Sequence, residues 1–132
     1  MDFDHVGIVT RDADSLAEQY CELLDTEVAH KEEMGEIIIV FLDIGGGYLE
    51  LLEPTDDESD IGQYLSENGP GIHHIAVESD DAEAALDNAR EMGVSPHPTK
   101  IDGEPRPGAW GHEVAFLDPA DTGNILLEFS EH

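Results

Sequence analysis

Asp4-His5-Val6-Gly7-Ile8-Val9-Thr10 returns later in the chain as His73-His74-Ile75-Ala76-Val77-Glu78-Ser79. Each copy runs through acidic residues into an Ala/Leu-rich helical stretch. Each half then closes on an apolar strand interrupted by one carboxylate, Tyr48-Leu49-Glu50-Leu51-Leu52 and Leu126-Leu127-Glu128-Phe129. Each half therefore offers one histidine early and one glutamate late, His5 with Glu50 and His74 with Glu128. A duplicated module that contributes a His and a carboxylate from each copy is well suited to building one metal site.

Working outward from the repeat, Val6 to Thr10 reads as a strand with Val6 and Ile8 on one face and His5, Gly7 and Val9 on the other. Asp12 or Asp14 caps a helix whose Leu16, Tyr20, Leu23 and Leu24 form an apolar stripe. Strands follow over residues 26–33 and 37–42. Gly45-Gly46-Gly47 turns the chain into the strand that ends at Pro54, which cannot donate to a ladder. The second half repeats this order, with Ala82, Ala85, Leu86 and Ala89 as the buried helix face and Gly93 as its C-terminal stop. Residues 104–111, rich in Pro and Gly, read as a loop. The chain thus reads as one α+β domain over 1–132: a βαβββ module over 1–54, a linker over 55–70 holding a short helix, and a second βαβββ module over 71–132.

The charge is extreme, with 32 Asp+Glu against 5 Lys+Arg and a formal net charge of −27. A nucleic-acid partner needs clustered cations to displace counterions, so that class is excluded. No apolar run approaches the ~20 residues that span a bilayer, which argues against a membrane role. The acids fall at solvent-facing positions such as Asp12, Asp14, Glu18, Asp56 and Asp80. They point to a soluble protein of a high-salt cytoplasm, where screening within ~3 Å at molar salt tames self-repulsion. The single Cys21 forms no internal disulfide.

Glu50 and Glu128 lie in near-continuous apolar runs, as in strands covered on both faces. A lone carboxylate there would suffer several kcal/mol of desolvation. Coordination to a divalent cation beside neutral imidazoles removes that conflict. Two His and two carboxylates suit Co, Ni, Zn, Mn or Fe. His73, next to His74, faces the other way. His30, His97, His112 and His132 have no partner by spacing and read as surface residues.

These stretches resemble the vicinal oxygen chelate superfamily (glyoxalase/bleomycin resistance/dioxygenase) and, within it, the methylmalonyl-CoA epimerase family. The resemblance also rests on residues 68–76, Asn-Gly-Pro-Gly-Ile-His-His-Ile-Ala, on Glu104-Pro105-Arg106-Pro107-Gly108-Ala109 and on Val114-Ala115-Phe116-Leu117-Asp118-Pro119. It implies tandem βαβββ modules forming a cup-shaped mixed sheet around a metal held by His5, Glu50, His74 and Glu128, in a homodimer. It further implies an acyl-CoA thioester substrate and interconversion of (R)- and (S)-methylmalonyl-CoA through a metal-stabilised enolate. Glu128 is then the first expected base and Glu50 the second, with Arg106, Gly108 and Ala109 touching substrate. One departure stands out: the position that some relatives fill with a catalytic glutamate aligns here with Ile38, and Glu36 is the nearest carboxylate by period two. Competing readings are a glyoxalase I-type lyase acting on a glutathione or other thiol adduct, and a binding protein of the same fold without catalysis. A ring-cleaving dioxygenase fits less well, because its iron site uses two His and one Glu.

Overall fold

A computed structural model describes residues 1–98 and 104–132. The chain divides into two compact units, His5–His73 and Met1–Asp4 with His74–His132. The α+β class expected from the sequence is what each contains, and each carries the order strand, helix, strand, strand, strand.

In the first, β1 (Asp2–Val9) leads into α1 (Ala13–Leu24), followed by β2 (Val28–Met34), β3 (Ile37–Asp43) and β4 (Tyr48–Pro54). Its sheet runs β2-β3-β4-β1. β1 lies parallel to β4, so a crossover is needed between them and α1 supplies it, while β2, β3 and β4 form an antiparallel meander. The side chain of Asp12 accepts the Ser15 N–H at 3.0 Å and so caps α1. Asp25, left-handed at φ 51, ends it. A second helix, α2 (Asp60–Asn68), occupies the segment after β4 and is capped by Ser59.

The core of this unit is Ala13, Ala17, Val40, Leu42 and Leu51, with Leu16, Tyr20 and Cys21 packed against it. The buried stripe is therefore 13, 16, 17, 20 and 21. Leu23 and Leu24 are exposed, contrary to the stripe expected from the larger apolar residues. Small Ala13 and Ala17 let the helix approach the sheet closely, and that closeness sets which face turns inward.

The second unit repeats the plan with β5 (Gly71–Glu78), α3 (Ala82–Glu91), the two-residue β6 (Arg106–Pro107), β7 (Glu113–Phe116) and β8 (Leu127–Glu131). Its strands run β5-β8-β7-β6, with β5 and β8 parallel. Asp81 caps α3 through the Ala84 N–H at 3.0 Å. Ala82, Leu86, Ala89, Ala115 and Leu117 form its core. Residues 104–111 are not wholly irregular, since they contain β6 and a single 3₁₀ turn at Ala109–Gly111.

The duplication extends to polar detail. Glu53 Oε1 accepts the Ala13 N–H at 2.8 Å, and Glu131 Oε1 accepts the Ala82 N–H at the same distance. In each unit a glutamate three residues beyond the central one thus takes an orphan donor in the helix's first turn. Thr10 N–H donates to the Leu52 carbonyl and Ser79 N–H to that of Ser130, each at 2.9 Å. Each parallel strand pair is locked to its helix in the same way.

Candidate metal and proton-transfer site

In the first unit the ladder places Gly7 opposite Glu50, and Glu50 opposite Phe41. Residues facing one another across a ladder share a face, as do alternate residues along a strand. His5, Glu50, Phe41 and Ile39 therefore lie on one face, while Ile8, Val40, Leu42 and Leu51 turn to α1. Gly7, with no side chain, leaves room beside the glutamate. His5 is 3 % exposed and Glu50 6 %. The two meet at 3.3 Å between Nε2 and Oε1. The Phe41 ring stands edge-on to the His5 imidazole, 5.7 Å between centroids.

The second unit builds the same triplet. Ala76, again small, lies opposite Glu128, and Glu128 lies opposite Phe116. His74 Nε2 is 3.6 Å from Glu128 Oε1, both are buried, and Phe116 stands edge-on to His74 at 5.9 Å.

These distances bear on what the pairs are for. An N–H···O bond to a carboxylate closes to about 2.7–2.9 Å, and 3.3 and 3.6 Å are long for one. Two donors each about 2.1 Å from a common tetrahedral ion stand about 3.4 Å apart. Each pair thus has the spacing of two ligands, and the donor set, one imidazole nitrogen with one carboxylate oxygen, is that of a borderline divalent ion.

Several expectations change on contact with the structure. Ile38 packs against the α1 cluster, on the face away from Glu50. The residue of β3 that shares the face of Glu50 next to Phe41 is Ile39, one position on. Glu36 is engaged outside this face. The Asp56 carboxylate repels it and hydrogen-bonds to it, which pushes its pKa above the ordinary 4.5. The N–H of Gly108 goes to the His112 carbonyl at 2.7 Å and so does not point at a ligand. Glycine is required there because a Cβ would lie 2.7 Å from Val114 Cγ1. Arg106 pairs with Val114, which pairs with Ser130, so Arg106 shares the sheet face of Glu128. Lys100, one of the five basic residues, lies outside the described residues.

The remaining histidines are not bare surface residues. His132 Nε2 is 2.5 Å from Oδ1 of the buried Asp4, and its ring stacks on His112 at 3.7 Å. His30 Nε2 meets Glu32 Oε1 at 2.9 Å. Spacing could not find either pair, because each depends on which strand ends or bulges meet. His73 does face away from His74, packing edge-on against Tyr64 at 4.7 Å. Among the described residues no helix is long and apolar enough to cross a membrane.

Comparison with known proteins agrees with this architecture. The profile of the glyoxalase/bleomycin resistance protein/dioxygenase superfamily matches residues 4–116. An ethylmalonyl-CoA/methylmalonyl-CoA epimerase of Cereibacter sphaeroides is 34% identical over 97% of this chain and 96% of its own. The mitochondrial methylmalonyl-CoA epimerase of Homo sapiens is 30% identical over 97% of this chain and 72% of its own. A single-residue variant of Streptomyces coelicolor methylmalonyl-CoA epimerase, solved with 2-nitronate-propionyl-CoA, superposes with TM-score 0.91 at 34% identity, covering 99% of this chain and 94% of that one.

Proposed function

The chain belongs to the glyoxalase/bleomycin resistance protein/dioxygenase superfamily, and from that premise we propose that it is a metal-dependent epimerase interconverting (R)- and (S)-methylmalonyl-CoA. The observation that carries the reading is the end-to-end match to epimerases of this substrate, at 34% identity over 97% of the chain. The duplicated His–Glu–Phe triplet supports it, since it supplies what removal of a proton alpha to a thioester demands.

His5, Glu50, His74 and Glu128 would hold one divalent ion, of the group Co, Ni, Zn, Mn and Fe. Such an ion, when bound, supplies Lewis-acid stabilisation of the charge that develops on the thioester oxygen. The chain's own residues do the rest. Burial of both glutamates and the edge-on phenylalanines exclude water, which strengthens electrostatic interactions at the site. Glu128 takes the C2 proton on one face of the substrate and returns it in the reverse direction. Glu50, held against His5, stays a ligand in this reading. Arg106, on the face of Glu128, answers the acidic parts of the thioester substrate, with Gly108 and Ala109 shaping the turn beside it.

The same reading includes a homodimer in a high-salt cytoplasm. The excess of 32 acidic over 5 basic residues supports the salt adaptation, because screening then offsets both self-repulsion and repulsion of an anionic substrate.

The test follows deuterium uptake at C2 of methylmalonyl-CoA by NMR in molar KCl and D₂O. Enzyme-dependent uptake, lost on chelation and restored by a divalent ion, is the expected result. A folded, metal-loaded sample with no uptake above background sinks the assignment.

A further inference from the structure

In the second unit, the sheet face that carries Glu128 continues past it to a further cluster of donors. Ser130 on β8 and His132 just after it alternate with Glu128, and on β5 His74 is followed at the same spacing by Ala76 and Glu78. The parallel ladder sets Ala76 opposite Glu128 and Glu78 opposite Ser130. At the rise of an extended strand, Glu78 and His132 stand about 13 Å along their strands from His74 and Glu128. That is too far for the four to share one ion.

Asp4, which belongs to the same unit, completes the cluster. One donor atom each from Asp4, Glu78 and His132 lies within 4.8 Å of the other two. Asp4 is 5 % exposed, and its Oδ1 is 2.5 Å from His132 Nε2. The His112 ring stacks on that of His132 at 3.7 Å with only 22° between their planes, which holds the imidazole over the carboxylate. A carboxylate has two oxygens and about four lone-pair sites, so Asp4 can keep its hydrogen bonds and still offer an oxygen to an ion. Two carboxylates with a single imidazole leave a negative balance at a largely buried spot, which a divalent cation offsets.

A separate observation points to the same place. Ser130 is fully buried, and among the described residues its Oγ has no hydrogen-bond partner. Across the ladders it faces Glu78 on one side and Val114 on the other, so Glu78 is the polar neighbour. A buried hydroxyl without a partner is costly. A carboxylate held still by an ion is the acceptor such a hydroxyl commonly serves, because ligating carboxylates are themselves hydrogen-bonded.

We propose that Asp4, Glu78 and His132 form a second divalent-metal site, with Ser130 steadying the Glu78 carboxylate. One imidazole and two carboxylates suit Zn, Mn, Co or Fe. Donors on a common tetrahedral ion stand about 3.4 Å apart. Occupancy therefore opens the His132–Asp4 contact slightly and draws in Glu78, the ligand at the strand end. The role is structural. The ion ties three chain segments that are distant in sequence, β1 at Asp4, the end of β5 and the residue after β8, and binding to the folded state alone stabilises it. None of the three residues has a place in the epimerase reading, so the two stand or fall separately.

The experiment strips the protein with a chelator and titrates it with Zn²⁺ in molar KCl, which screens loose binding to the other acidic side chains. Zinc retained after gel filtration, and Tm with and without zinc, are measured for wild type, His132→Gln and Glu78→Gln. Each variant should retain about one zinc ion per chain fewer than wild type and show a smaller zinc-induced rise in Tm. The count is a difference, so it holds whatever ion occupies His5, Glu50, His74 and Glu128. If His132→Gln does not fold, Glu78→Gln decides alone. Wild-type zinc content in a folded variant overturns the proposal.

Discussion

Glu131→Ala tests whether the carboxylate at the end of the sheet braces the start of its own unit's helix. Ala82 is fully buried, and its N–H is met by the Glu131 carboxylate at 2.8 Å. Truncation removes a charge-assisted bond and leaves a buried donor at a helix N-terminus. A hydrogen bond to a charged group contributes about 1.5–3 kcal/mol, and leaving the donor unsatisfied places the loss within that range. About 2 kcal/mol is therefore expected. With 132 residues and about 2.1 cal/mol/K of unfolding entropy each, such a loss lowers Tm by about 7 °C. Glu131→Gln keeps a neutral acceptor and should lose about half as much. Glu53→Ala should match Glu131→Ala within about 0.5 kcal/mol, because Ala13 is likewise fully buried and its bond is also 2.8 Å. The assay is thermal unfolding by circular dichroism in molar KCl, where the macrodipole contribution is screened and the buried hydrogen bond is not. A drop under 1 °C in Glu131→Ala, or Gln as harmful as Ala, would refute the reasoning.

Three further outcomes follow from particular contacts. Gly62→Ala should destabilise although alanine favours helices by about 1 kcal/mol, because its Cβ would lie 2.3 Å from the Asp56 carbonyl oxygen and 2.8 Å from Asp57 backbone atoms; a raised urea midpoint would contradict this. Glu36→Gln should raise Tm at neutral pH. The folded pKa of Glu36 lies above its ordinary 4.5 through repulsion from Asp56, so its favourable contribution is present below about 4.5 and lost as pH rises through the folded value. The gain in Glu36→Gln should vanish in acid and shrink with salt, and a gain constant from acid to neutral pH would rule the repulsion out. Glu128→Gln, given (2R)- and (2S)-methylmalonyl-CoA separately, should cut deuterium uptake at C2 of one enantiomer by about 100-fold or more, and near-normal uptake by both at full metal content would remove Glu128 from the base role.

Much of the candidate site was legible in the chain because it is written in local repeats. A His two residues before a small residue, and a lone Glu inside an apolar strand, recur in both halves, while alternation fixes faces only within each strand. The strand pairing brings each His to its Glu, at 3.3 and 3.6 Å within the two units. Side-chain chemistry narrowed the first helix cap to Asp12 or Asp14, and the structure selects Asp12. The facing of Ile38 was not legible. Alternation fixes relative faces along β3 but not which absolute face carries the site, and only the strand pairing shows Ile38 turned toward α1.

What the sequence determined by itself is the duplicated α+β plan, the four candidate ligands and the acidic surface, all of which follow from short-range pattern and composition. What only the tertiary structure decided is pairing across strands. It showed Glu53 and Glu131 reaching back to helix starts, Asp4 meeting His132 at 2.5 Å, and a single register shift carrying His30 and Glu32 onto the face of Glu50. The physical reason is that a bulge or a long-range hydrogen bond involves the partner strand as much as its own residues. Nothing in residues 28–34 alone says which carbonyls they will face.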